Sequence, residues 1–129
     1  MDALHALIDR YCQGWSDPDA DTRARLLREV LTPDATYADP HTPAALPVDA
    51  LIGHIAAVMA RFPGAQVRRT SRVDVHHDAA RFHWQVALAG GGTLPESVDF
   101  IDLEPGHGRI RRIVGFFGPI DPRGAVSLL

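Results

Sequence analysis

Three titratable side chains, each set in a mainly apolar stretch, are the groups of this chain best suited to chemistry: Tyr11, Asp39 and Asp99. A carboxylate can take a proton from a carbon beside a carbonyl, and a phenol or a neutral carboxyl can stabilise the oxyanion that forms. Asp39 stands in Tyr37-Ala38-Asp39-Pro40, where Pro40 biases it toward an extended backbone and so aims its side chain. The same position suits a turn aspartate that bonds nearby amides. Tyr11 shares an apolar stripe with Leu4, Leu7, Ile8 and Trp15, so a core role for its ring stands beside a chemical role for its hydroxyl. Asp99, in Ser97-Val98-Asp99-Phe100-Ile101, shares a strand face with Ile101 and Leu103, an apolar setting that favours a neutral carboxyl. It also suits an exposed aspartate paired with Arg111 or Arg112.

The elements that must carry these groups follow from periodicity. The Tyr11 stripe predicts a helix over residues 2–15, broken by Ser16-Asp17-Pro18-Asp19. Asp19 or Asp21 can cap a second helix with Leu26, Leu27, Val30 and Leu31 on its inner face, and Pro33 stops it. Residues 35–39 read as a short strand and residues 40–47 as a Pro-rich loop. Asp49 is expected to cap a third helix bearing Leu51, Ile52, Ile55, Val58, Met59 and Phe62, ended by Pro63-Gly64. Thereafter the period becomes alternating. Strands are expected at 65–76, 79–89, 95–103 and 109–118, separated by His77-Asp78, the glycine run 90–92 and the turn 105–108. Helices first and a meander afterwards predict an α+β domain spanning 1–129, three helices packed on one face of a curved, mainly antiparallel sheet. Such a layer leaves a cavity for a small apolar molecule. Apolar side chains on both sheet faces further predict a homodimer through the sheet.

Composition narrows the partners. The chain has 129 residues, 46% of them hydrophobic, and a formal net charge of −3. Its densest cationic pairs, Arg68-Arg69 and Arg111-Arg112, fall in strands where neighbours point to opposite faces, so neither nucleic acid nor an anionic membrane is an expected partner. The one cysteine, Cys12, excludes an internal disulfide and reads as a small buried thiol in a reducing cytoplasm. The start of the chain lacks the basic residues and apolar run of a secretory signal, and no stretch reaches the roughly 20 apolar residues of a membrane span. Seven histidines have no metal-ligand spacing: His76-His77 are adjacent, and His41, His54 and His107 are isolated. No metal and no cofactor are expected. The glycine run is a turn rather than a phosphate cradle, and no Ser or Cys nucleophile has a His-bearing motif beside it.

The order helix, helix, short strand with Asp-Pro, helix, long meander resembles the nuclear transport factor 2-like superfamily, above all its SnoaL-like and ketosteroid isomerase-like members. The resemblance covers Leu4 to Pro119 and rests most on Leu31-Thr-Pro-Asp-Ala-Thr-Tyr-Ala-Asp-Pro40, Ala50-Leu-Ile-Gly-His-Ile-Ala-Ala57 and Gly108-Arg-Ile-Arg-Arg-Ile-Val-Gly-Phe-Phe-Gly118. It implies a cofactor-independent isomerase or cyclase acting by proton transfer on a small, mainly apolar carbonyl compound. Asp39 would be the base, with Tyr11 and a neutral Asp99 as oxyanion donors. Asp102 competes with Asp99 for that place. Trp15, Val58, Phe62, Phe82, Trp84 and Phe116 are expected to line the pocket, and His41 to orient the base or meet the substrate. Where the isomerases carry aromatic and Met side chains around a steroid, Arg81, His83 and Gln85 suggest a smaller or more polar ligand. Two rival readings remain open: a non-catalytic binding protein with the same cavity, and an epoxide hydrolase in which Arg69 or Arg81 links two carboxyls.

Overall fold

The computed structural model describes residues 2–123. Helix α1 (Asp2–Ser16) buries Leu4, Leu7, Ile8, Tyr11 and Trp15, the stripe expected from its spacing. Helix α2 (Ala20–Val30) is capped by Asp19, whose Oδ2 accepts the Thr22 backbone N–H at 2.9 Å. The two helices meet closely at Gly14, where an added Cβ would lie 2.9 Å from Leu27 Cδ2. Strand β1 (Leu31–Ala38) follows α2 without a loop: Leu31 is the C-cap of the helix, its N–H donating to the Leu27 carbonyl, and with an extended backbone it also opens the strand. Pro33 therefore sits inside the strand. It is tolerated because the pairing of β1 with its neighbour is interrupted between Leu31 and Thr36, so its missing N–H breaks no ladder bond.

A two-residue strand β2 (Leu46–Pro47) leads into helix α3 (Val48–Arg61), which buries Val48, Leu51 and Ile55. Asp49 does not cap it. Pro47 holds the N-cap position, and the Asp49 carboxylate instead meets Arg28 of α2 at 2.6 Å. Then come β3 (Gln66–Arg69), β4 (Asp74–His76), β5 (Ala79–Ala87), β6 (Ser97–Leu103) and β7 (Ile110–Phe116). The expected strand 65–76 is thus two pieces. At the break Ser71 Oγ accepts the His83 backbone N–H at 2.8 Å, standing in for a backbone partner, while Val73 turns into the core.

The sheet runs in the order β2-β1-β7-β6-β5-β3, with β4 also on β5. Every pairing is antiparallel except β1 with β7. Three helices on a mixed, mostly antiparallel curved sheet make an α+β fold. Along β6, Ser97, Asp99, Ile101 and Leu103 are buried while Phe100 and Asp102 are exposed, the period of two that separates a helix-covered face from an open one. Phe100 and Phe116 meet edge to face on the open side, 43% and 52% exposed, with ring centroids 5.8 Å apart. No helix among the described residues is long and apolar enough to cross a membrane.

Candidate functional site

A cavity of about 470 Å³ lies between the helices and the covered sheet face, within the size range of small-molecule sites. Tyr11, Asp39 and Asp99 all border it. They come from α1, from the residue after β1, and from β6, and the sheet order explains the meeting. Strand β7 lies between β1 and β6, with Val114 opposite Ala38 and Gly115 opposite Asp99. Gly115 is buried, and a Cβ there would lie 2.8 Å from Asp99 Oδ1 and 3.7 Å from Asp39 Cβ. Both carboxyl-bearing side chains thus reach the edge of one carbon-sized position.

Asp39 is arranged as an acceptor. The Tyr37 hydroxyl donates to its Oδ2 at 2.6 Å and the His41 backbone N–H to its Oδ1 at 2.7 Å. His54 Nε2 lies 3.8 Å from Oδ2, and only 3% of the Asp39 side chain is exposed. Each carboxylate oxygen keeps a lone pair for a further proton. The turn reading and the cavity reading of Asp39 describe the same geometry.

Asp99 is arranged differently. Trp84 Nε1 donates to its Oδ1 at 2.9 Å, and no arginine is its ion-pair partner among the described residues. Burial pushes its carboxyl up to about 7; the Trp84 hydrogen bond pulls the other way, and nearby Asp39 adds to the rise. With Trp84 on Oδ1, Oδ2 is left to carry the acid proton. Asp102 points to the open face, 3.8 Å from Arg112, so of the two competing aspartates Asp99 is the one at the cavity.

Tyr11 is fully buried in the core and borders the cavity as well. Its Oη accepts the Trp15 indole N–H at 3.0 Å, and its own proton has no acceptor among the described residues. Accepting a bond sharpens a hydroxyl as a donor. Burial first, then Asp99, hold this phenol well above its ordinary value of 10.0, so it keeps its proton. Burial likewise pushes the Cys12 thiol up to about 12, which makes it an inert lining group.

Of the expected lining residues, Trp15, His41, Val58, Phe62, Phe82 and Trp84 border the cavity. Phe116 does not. It lies on the open face, and Phe117 takes the inward place, its ring 5.1 Å from His41 and 6.0 Å from Trp84. Arg81, His83 and Gln85 are also on the far side from the cavity. Arg81 pairs with Asp74 at 2.8 Å, His83 Nδ1 lies 3.3 Å from Glu96, and Gln85 donates to the Leu94 carbonyl. The inward face of β5 is Phe82, Trp84 and Val86, so the case for a more polar ligand from those three residues falls. Arg69 binds Asp9 at 2.8 Å, and neither it nor Arg81 borders the cavity. Neither of the two arginines expected to link the carboxyls is therefore in place; the arginine that does border the cavity is Arg61 of α3, whose guanidinium lies over the Phe62 ring. No cluster of three His, Cys, Asp or Glu side chains is placed to hold a metal among them.

Besides Phe117, two neighbours of the Asp39 carboxylate escaped the sequence reading. Tyr37 precedes Asp39 by two positions, which places both on one face of an extended chain, and that parity was legible. His54 falls in the α3 stripe with Leu51, Ile55 and Val58; its ring meets Trp15 edge to face at 6.1 Å and Tyr37 at 6.2 Å.

No protein-family model matches the chain, and no curated protein matches it. Solved structures do. A SnoaL-like family protein from Agrobacterium tumefaciens, provisionally assigned as an isomerase, has 24% sequence identity and a TM-score of 0.82 over 92% of this chain and 100% of its own. A provisionally assigned SnoaL-like polyketide cyclase from Jannaschia has 19% identity and a TM-score of 0.70 over 89% of this chain and 85% of its own. A protein with a ketosteroid isomerase-like fold from Catenulispora acidiphila, solved in complex with trimethylamine, has 12% identity and a TM-score of 0.67 over 87% and 85%. The chain therefore has the same fold as these solved SnoaL-like and ketosteroid isomerase-like structures.

Proposed function

We propose that the protein is a cofactor-independent isomerase or cyclase that moves a proton beside the carbonyl of a small, mainly apolar compound. The observation that carries this reading is the division of labour in one cavity: Asp39 as acceptor, Tyr11 and protonated Asp99 as donors. Asp39 takes the proton from the carbon next to the carbonyl, and the C–H electron pair moves into the enolate. The charge gathers on oxygen, where the Tyr11 and Asp99 protons meet it in a site with little water to reorganise. Return of the proton to a different carbon completes an isomerisation; attack of the enolate carbon on an electrophile within the same molecule completes a cyclisation.

Exchange of carbon-bound hydrogen in a set of apolar cyclic ketones in D₂O, followed by NMR, tests the reaction without naming the substrate. Wild-type protein is expected to speed exchange, and Tyr11→Phe to lower the rate about 10²- to 10³-fold, the usual effect of losing one oxyanion donor. Equal rates in the two proteins would remove Tyr11 from the mechanism. Absence of exchange in every ketone would favour the second reading, a non-catalytic binding site. That reading is supported by the trimethylamine complex of the similar fold and by a cavity that the rings of Trp15, Tyr37 and Trp84 line together with the Asp39 carboxylate, a setting that attracts small organic cations. Titration calorimetry with trimethylammonium reads it directly.

The open sheet face suggests a second copy of this chain as partner. Phe100 and Phe116 form an apolar centre flanked by Arg112 and Asp102, and a two-fold axis sets apolar against apolar and each charge near its opposite. Sedimentation at micromolar concentration is expected to give a dimer, and Phe116→Arg a monomer. A wild-type monomer would exclude this pairing.

A further inference from the structure

We propose that Gly115 is a positioning residue for the carboxyl pair: its missing side chain is what lets Asp99 seat Oδ1 beside Asp39 in the cavity wall. The backbone does not ask for glycine here. Gly115 lies within β7, one residue before its end, and is not among the positive-φ glycines, so any residue could adopt its conformation. Glycine inside a strand weakens it and marks a place where another group comes close. That group is the Asp99 carboxyl, 2.8 Å from where a Cβ would stand, nearer than real Cβ atoms come to a neighbour.

Asp99 has no easy retreat. The same Oδ1 accepts the Trp84 indole N–H, so swinging the carboxyl aside breaks that bond. Tyr11, Cys12, Tyr37 and Asp39 are the titratable groups that feel or press on Asp99, and the side chains of Ile101 and Ile113 pack beside the strand pair. An alanine at 115 therefore pushes the acid out of its seat and away from Asp39, while the cavity and the helices stay in place. The two acids then cease to act on one bound molecule.

This role deepens the proton-transfer reading and takes its meaning from it, yet the test reads the acids themselves, so failure of either idea is separately visible. Carboxyl ¹³C NMR follows Asp99 through its titration in four proteins: wild type, Asp39→Asn, Gly115→Ala and the pair combined. Asp39→Asn is expected to lower the Asp99 midpoint in the wild-type background and to leave it unmoved in the Gly115→Ala background. The Trp84 indole N–H resonance is expected to shift in Gly115→Ala. Chemical denaturation supplies a check that survives poor folding of the single variant. Gly115→Ala is expected to destabilise the wild type but to cost little once Asp99→Ala has removed the obstructing oxygen. An equal cost in both backgrounds, or an Asp99 midpoint that still responds to Asp39 in Gly115→Ala, would overturn the proposal.

Discussion

Asp39→Asn is expected to lower ketone hydrogen exchange about 10²- to 10⁴-fold, the contribution typical of a positioned general base. The substitution keeps the shape of the side chain and an oxygen that can accept the His41 backbone N–H, so the turn after β1 survives. On the other side the Tyr37 hydroxyl, a donor to the carboxylate, can accept from the new amide instead. What disappears is the only group in the constellation free to receive a proton. Tyr11 and Asp99 both hold theirs near neutral pH or below, and Tyr37 is likewise pushed above its ordinary range by burial. The variant should therefore melt close to the wild type while losing exchange. Undiminished exchange in a folded Asp39→Asn protein would place the base elsewhere, and His54, 3.8 Å away, would be the next to remove.

The second large effect is on stability. Asp99 has an unfolded pKa near 4 and a folded one of about 7, so between those values the folded protein holds a proton that the unfolded chain has released. The sign follows: this group's contribution is fully present below about pH 4 and is lost as pH rises through 7. Three units of separation amount to about 4 kcal/mol. Other carboxylates add slopes of their own, so the comparison must be made against Asp99→Asn, a neutral group that can still accept from Trp84. Urea unfolding at pH 5 and pH 8 is expected to show wild type losing about 2–3 kcal/mol more than Asp99→Asn across that interval. Parallel losses would mean that Asp99 titrates as an ordinary exposed acid. The same proton serves as an oxyanion donor, so exchange should also decline as pH climbs past 7.

The helix faces and the sheet were legible because burial imposes a period, and the periods of α1 and β6 are unbroken. Alternation grouped Phe82 with Trp84 and Asp99 with Ile101, but only the family resemblance pointed Asp99 rather than Asp102 to the cavity. Alternation failed for Phe116 because two phenylalanines stand in succession, and only the register of Gly115 opposite Asp99 decides which points inward. It also left Arg81, His83 and Gln85 without a side, since an alternating strand has two faces and the sequence names neither. The break between β3 and β4 was hidden for another reason. It depends on Ser71 bonding to His83 across the sheet, a contact no local pattern announces. Capping was misread at Asp49 because a cation on a different helix, Arg28, competes for its carboxylate.

The one parallel pairing among the described residues, β1 with β7, ties residue 38 to residue 114. During synthesis the proposed base would thus leave the ribosome long before the strand that seats it, and the hollow would stay unfinished while six strands already have partners to find. Loop closure over so long a span is slow and entropically costly. Any handling of nascent or refolding chains that delays β7 would therefore leave a body rich in secondary structure yet unable to grip a ligand.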